Sequence, residues 1–183
     1  IETNMDSSSK FVILKKLLLL FEMEDELIVK FSDEKQVDTK SRFEVRKAFW
    51  KQLLPQLKNT SLFSNVNPTK DHWLSTGAGK TGLSFVMIIT KKYTAIEFLM
   101  SRVSKQENKI IYSKLLKRKI EIEEIFGGNL FWEELPDSKS SRVRAILDNV
   151  NLFHKEDWGR MNDFLIENLP KFEIAFKPEI EKI

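Results

Sequence analysis

From Ser41 onward, apolar residues recur at roughly helical spacing. Phe43, Ala48 or Trp50, Leu54 and Leu57 share a stripe, and Ser41 followed by Glu44 forms a capping box, so a first helix is predicted from about Arg42 to Lys58. Asn59 to Thr81 then gathers Asn, Ser, Thr, Pro and Gly around Phe63 and Trp73, which reads as a long loop. The runs Phe85 to Thr90 and Tyr93 to Met100 are rich in Ile, Phe and Val and apolar on both faces, as central strands of a hairpin are. After Ser104, Ile111, Leu115, Ile122 and Phe126 fall on one face of a long helix that the pair Gly127 and Gly128 should end. Leu130 to Leu135 and Arg142 to Asp148 flank a Pro136–Ser140 connector and predict a second hairpin. A final helix opens at Glu156 and Asp157 and carries Trp158, Met161, Leu165 and Leu169 inward, with Pro170 expected to break or kink it. The order α-β-β-α-β-β-α predicts the α+β class: one largely antiparallel sheet with helices packed on one of its faces.

Residues Ile1 to Lys40 differ from this pattern. They combine a Ser-rich start, the apolar run Phe11 to Phe21 and a charged stretch from Ser32 to Lys40, and are read as an N-terminal arm and linker before a single domain over 41–183. Leu17 to Leu20 is too apolar to stay exposed, so the arm offers a route to a homo-oligomer or to contact with a missing neighbour. Lys15 and Lys16 interrupt the run, which falls short of the roughly 20 residues of a spanning helix, and no membrane segment is predicted. The 183 residues, 42% of them hydrophobic, suffice for a sizeable core. With no cysteine, disulfides, thiolate metal sites and cysteine nucleophiles are excluded together, and the cytoplasm is the expected compartment. A net charge of +3 from 30 basic and 27 acidic residues does not mark a nucleic-acid binder, so any polyanion site would be a local patch.

Candidate chemistry is sparse. Gly77-Ala-Gly-Lys-Thr81 resembles the end of a P-loop, but Leu74 stands where the first glycine belongs and a predicted strand follows where a helix should supply its N-terminal dipole. His72 and His154 are the two histidines, little raw material for a triad, a two-histidine metal site or a histidine general base. Asp137-Ser138-Lys139 and Asp33-Glu34-Lys35 match a nuclease signature in letters, yet each falls in a turn or linker. Glu121, Glu123 and Glu124 have Lys117 and Lys119 at pairing distance along the helix. No catalytic residue, metal ligand or cofactor is assigned.

The cationic candidates are Lys80, Arg102, Lys109, Arg118, Arg142 and Arg144, with Trp73 and the glycines Gly77, Gly79 and Gly82 as a possible contact loop. Arg118 lies within an apolar stripe and needs an acceptor. Val143, Ala145 and Leu147 alternate inward, which turns Arg142 and Arg144 to the other face and brings Glu133 close to opposite Arg142, so an ion pair competes with phosphate there.

Phe49-Trp50, Trp73 with its following glycines, Asn108-Lys109, Leu115, Ile122-Glu123, Phe126-Gly127, Leu130, Trp132-Glu133, Arg142 and Asp157-Trp158 together resemble a prokaryotic family of domains of unknown function. Such domains are often found C-terminal to restriction-endonuclease-like nuclease domains. The resemblance spans about Arg42 to the C-terminus and brings no catalytic residues. It implies an accessory domain in DNA-processing or defence proteins, and together with the local basic groups it leads to the expectation of a non-catalytic domain that binds nucleic acid or a nuclease or defence protein. A structural or oligomerisation module, and a nuclease-type hydrolase with dispersed acidic residues, are the alternatives.

Overall fold

The computed structural model describes residues 38–57 and 62–183; the predicted arm, apart from residues 38–40, lies outside them. The chain divides after Arg42, and the fold below is that of Phe43–Ile183. Helix α1 covers residues 38–53 and passes into a 3-10 turn, Leu54–Leu57, that contains Pro55. Ser41 and Glu44 therefore sit inside the helix and do not cap its start. Its inward positions are Phe49, Trp50 and Leu53, while Ala48 is exposed.

Five strands follow, β1 (Trp73–Gly77), β2 (Leu83–Ile89), β3 (Tyr93–Met100), β4 (Phe131–Glu133) and β5 (Ser141–Asp148). They form one antiparallel sheet in the order β1-β2-β3-β5-β4, which confirms the α+β class. The strand β1 corrects the long-loop reading of Asn59 to Thr81. It is a short edge strand in which Leu74 alone is buried, so its alternation is too weak to stand out among turn residues.

Helix α2 (Lys105–Leu116) and helix α3 (Lys119–Phe126) replace the predicted single long helix. All four stripe residues, Ile111, Leu115, Ile122 and Phe126, are buried as expected, and α3 ends at Gly127. The chain turns tightly at Lys117 and Arg118, where Arg118 N donates to Leu115 O at 2.8 Å. A tight turn within the seven-residue step from Leu115 to Ile122 leaves the apolar register intact, so the pattern could not reveal it.

Helix α4 (Trp158–Glu181) continues through Pro170 and Pro178, which corrects the expected break. Pro170 removes one backbone donor, a defect costing about 3 kcal/mol in an isolated helix. Burial of Leu165, Leu169, Phe172 and Phe176 on both sides offsets it, at about 2 kcal/mol for each large side chain.

The four helices bury their apolar sides in one cluster with Leu83, Phe85, Met87, Ile96, Phe98, Val143 and Ala145. Phe98 stacks on Phe176 with ring centroids 4.9 Å apart, and Phe85 meets Phe172 edge-on at 6.3 Å. These strand residues share one face of the sheet. The alternating residues face the other way, over strands that no described helix covers in this cluster.

Candidate functional site

The strand register fixes what this face presents; it is open in that no described helix covers it, although Val86, Ala95, Glu97 and Arg144 at its centre are buried. One cross-strand row runs Trp73, Ile88, Ala95, Ile146; the next runs Ser75, Val86, Glu97, Arg144, Phe131; the third runs Gly77, Ser84, Leu99, Arg142, Glu133. Trp73 and Phe131 stand on the two edge strands and are 46% and 53% exposed. Between them the face carries apolar residues together with Ser75, Ser84 and a charged knot, with Asp148 at the end of β5.

That knot consists of Glu97, Glu133, Arg142 and Arg144. Arg142 Nε donates to Glu133 Oε2 at 2.6 Å and Nη1 to Glu97 Oε1 at 3.2 Å. The cross-strand pairing of Glu133 with Arg142 is the one the sequence predicts. Arg144 lies over the Tyr93 ring at 5.0 Å, with Nε 2.7 Å from Glu97 Oε1. That approach has ion-pair distance without hydrogen-bond alignment, and Arg144 Nη2 is buried with no partner. Glu97 is 3% exposed, and burial pushes its carboxyl above the ordinary value of 4.5 against the pull of Arg144 and Arg142. Two positive and two negative groups close on one another, so neither arginine offers a free cation to a phosphate.

The other cationic candidates have internal partners as well. The Lys109 ammonium donates to Leu135 O at 2.7 Å, Ser140 O at 2.8 Å and Ser141 Oγ at 3.0 Å, and also to Glu134 O. It fastens the connector between β4 and β5 to α2, and burial lowers its pKa. Arg118 finds its acceptors in Glu121 at 3.0 Å and Glu179 at 3.7 Å. Lys80 Nζ donates to Glu181 O at 3.1 Å. The helix end that meets this glycine turn is therefore a C-terminus, whose partial negative charge is the reverse of what a P-loop provides.

Gly82 is held for a different reason: at φ +74°, a Cβ would lie 2.8 Å from Arg102 Cα. Arg102 is anchored in turn, its N–H donating to Asn108 Oδ1 at 2.8 Å and its carbonyl accepting from Asn108 Nδ2 at 3.1 Å. The Arg102 Nε is buried without a partner, beside an open cleft of about 540 Å³ lined by Gly79, Lys80, Thr81, Val103 and Glu107. Trp73 is not part of this cleft. It lies at the far end of β1 from Gly77, so the predicted contact loop divides between two places.

The motif residues behind the family resemblance act mainly as latches. Trp50 Nε1 donates to Asp71 O at 2.9 Å and Trp158 Nε1 to Leu152 O at 2.6 Å. Glu123 Oε1 accepts from Leu130 N at 2.8 Å and from Trp132 Nε1 at 3.0 Å, tying α3 to the start of β4. Asn108, fully buried, also reaches Lys139 O at 3.0 Å. These aromatic, amide and carboxylate groups each satisfy a backbone atom of a distant segment, so the pattern records one fold. A family model described as "Domain of unknown function (DUF4268)" matches residues 45–180.

The chain belongs to this DUF4268 family. No curated protein and no solved structure matches it. Within this DUF4268 chain, two functional candidates escaped the sequence reading. Phe131 faces out because Trp132 faces in, a consequence of strand alternation on β4. Glu97 is a lone charge inside the apolar strand Tyr93–Met100, and that isolation was the signal. His72 and His154 stay apart from both places: His72 O accepts from Ile89 N, and the His154 ring meets Asn151 at 3.4 Å. Among the described residues no group of three His, Asp or Glu is placed to hold a metal ion, and no helix is long and apolar enough to cross a membrane.

Proposed function

We propose that this chain is a non-catalytic accessory domain of a prokaryotic DNA-processing or defence system, and that it binds a protein partner, a nuclease, through the open face of its sheet. One observation carries the reading: two large aromatics, Trp73 and Phe131, stand exposed at the opposite edges of a sheet face whose central charges are paired with one another. The internal pairing of Arg142, Arg144, Lys109 and Arg118 supports protein over nucleic acid, because phosphate binding depends on releasing counterions from free cations. A second reading has its own support. The unpartnered Arg102 Nε beside Lys80 and Thr81 suits a phosphate of a nucleic acid held in the cleft.

Binding of the full chain to a restriction-endonuclease-like nuclease domain tests the proposal, with Trp73→Ser/Phe131→Ser compared with wild type by calorimetry. Weaker binding in the double variant is the expected result, and unchanged affinity overturns it. Salt-dependent binding of duplex or single-stranded DNA that disappears in Arg102→Ala establishes the second reading instead.

A further inference from the structure

The outer edge of β1 has properties that its own fold does not require. Ala78 N donates to Leu83 O and Ile89 N donates to His72 O, so residues 72, 74, 76 and 78 direct their backbone groups at β2. Trp73, Ser75 and Gly77 therefore direct theirs outward, and no described residue pairs with them. Natural sheets guard such edges with charge, proline or a bulge. The sequence Trp-Leu-Ser-Thr-Gly has none of these.

Gly77 is the second anomaly. Its φ is not positive, and a Cβ built there meets nothing within 4 Å. Neither backbone conformation nor packing within the chain explains a glycine in a strand, where it costs roughly 0.5–1 kcal/mol relative to alanine.

We propose that the chain pairs with a second copy of itself through β1, antiparallel about a two-fold axis at Ser75. In that register Ser75 meets Ser75 of the second copy, and Trp73 of each copy lies directly opposite Gly77 of the other. Both residues are on the open face, so each tryptophan ring covers the other copy's glycine. An aromatic over a cross-strand glycine is a favourable pair that hides the bare backbone, and it needs the Cβ to be absent. The match is self-complementary, as a two-fold interface demands, and it explains Gly77 and the exposure of Trp73 together. No charge on the strand opposes its own image. The flanking lysines are drawn to the helical side, Lys70 over the Phe43 ring at 5.2 Å and Lys80 to Glu181 O. The other edge strand, β4, has only three residues and holds Glu133 in its ion pairs. Trp73 also belongs to the proposed nuclease contact, but self-association is measured on the chain alone, so the two readings fail separately.

Sedimentation velocity on the full chain over a wide concentration range, together with Ser75→Lys and Gly77→Val, tests the pairing. Ser75→Lys places like charges at the axis; Gly77→Val fills the space for the tryptophan, and its Cβ meets nothing within 4 Å. A reversible dimer in wild type, weakened about tenfold or more in each variant with melting of the monomer no lower than in wild type, is expected. Hydrogen exchange on wild type supplies a second readout, in which the Ser75 amide becomes more protected as concentration rises. A wild type that stays monomeric to its solubility limit overturns the proposal. So does a dimer whose affinity survives either substitution, or a Ser75 amide whose exchange does not depend on concentration.

Discussion

Arg144 reaches across from β5 to Glu97 on β3, its Nε 2.7 Å from Oε1, with both side chains more than nine-tenths buried. A buried pair of this kind contributes little net stability against an apolar replacement, whereas removing one member strands the other. Arg144→Met is expected to cost about 3–5 kcal/mol. Glu97→Leu/Arg144→Met should cost clearly less than Arg144→Met alone, and urea denaturation of both variants measures the difference.

Glu97 also sets a pH dependence. Burial raises its folded-state pKa above 4.5, so between that value and the raised one the native state binds more protons than the unfolded state. The contribution of Glu97 is fully present below 4.5 and is lost as pH rises through the folded pKa. The melting temperature of wild type minus that of Glu97→Gln should therefore fall as pH rises through this window. A difference that grows with pH would reverse the assignment.

Lys109 holds the connector between β4 and β5 through four acceptors. Lys109→Met leaves those carbonyls short of a charged donor and is expected to cost about 2 kcal/mol. Limited proteolysis should then cut between Pro136 and Ser140 faster than in wild type. A phosphate-binding lysine would instead leave both measurements unchanged.

Gly82 and Gly79 separate two kinds of glycine requirement. Both have positive φ, at +74° and +84°, but only at Gly82 would a Cβ strike backbone atoms, those of Arg102. Gly79→Ala is expected to cost about 1 kcal/mol and Gly82→Ala at least about twice that, read from thermal melts.

The fold was legible where burial dominates and less so where tertiary contacts override local preference. The stripe from Ile111 to Phe126, the central hairpin and the Glu133–Arg142 pairing follow from periodicity, since apolar spacing and strand alternation fix which residues face inward. β1 was hidden because its outer residues face no neighbouring strand and Leu74 alone is buried. Continuation of α4 through Pro170 depends on Phe172 and Phe176 packing against the sheet, which local propensity does not encode. Among the site residues, charge type was readable but partnership was not. Lys109 looks like a free cation, and Arg118 needs an acceptor that the pattern does not name, until residues 25 and 61 positions away, Glu134 and Glu179, supply their partners.

The most direct test of the central claim is the affinity of the full chain for a restriction-endonuclease-like nuclease domain, measured for wild type and for Trp73→Ser/Phe131→Ser. Two exposed aromatics acting as interface anchors at about 1–2 kcal/mol each predict a loss of roughly a hundredfold, with little dependence on salt. Equal affinity for the two proteins would contradict an open-face contact, and so would wild-type binding to DNA that weakens steeply with salt.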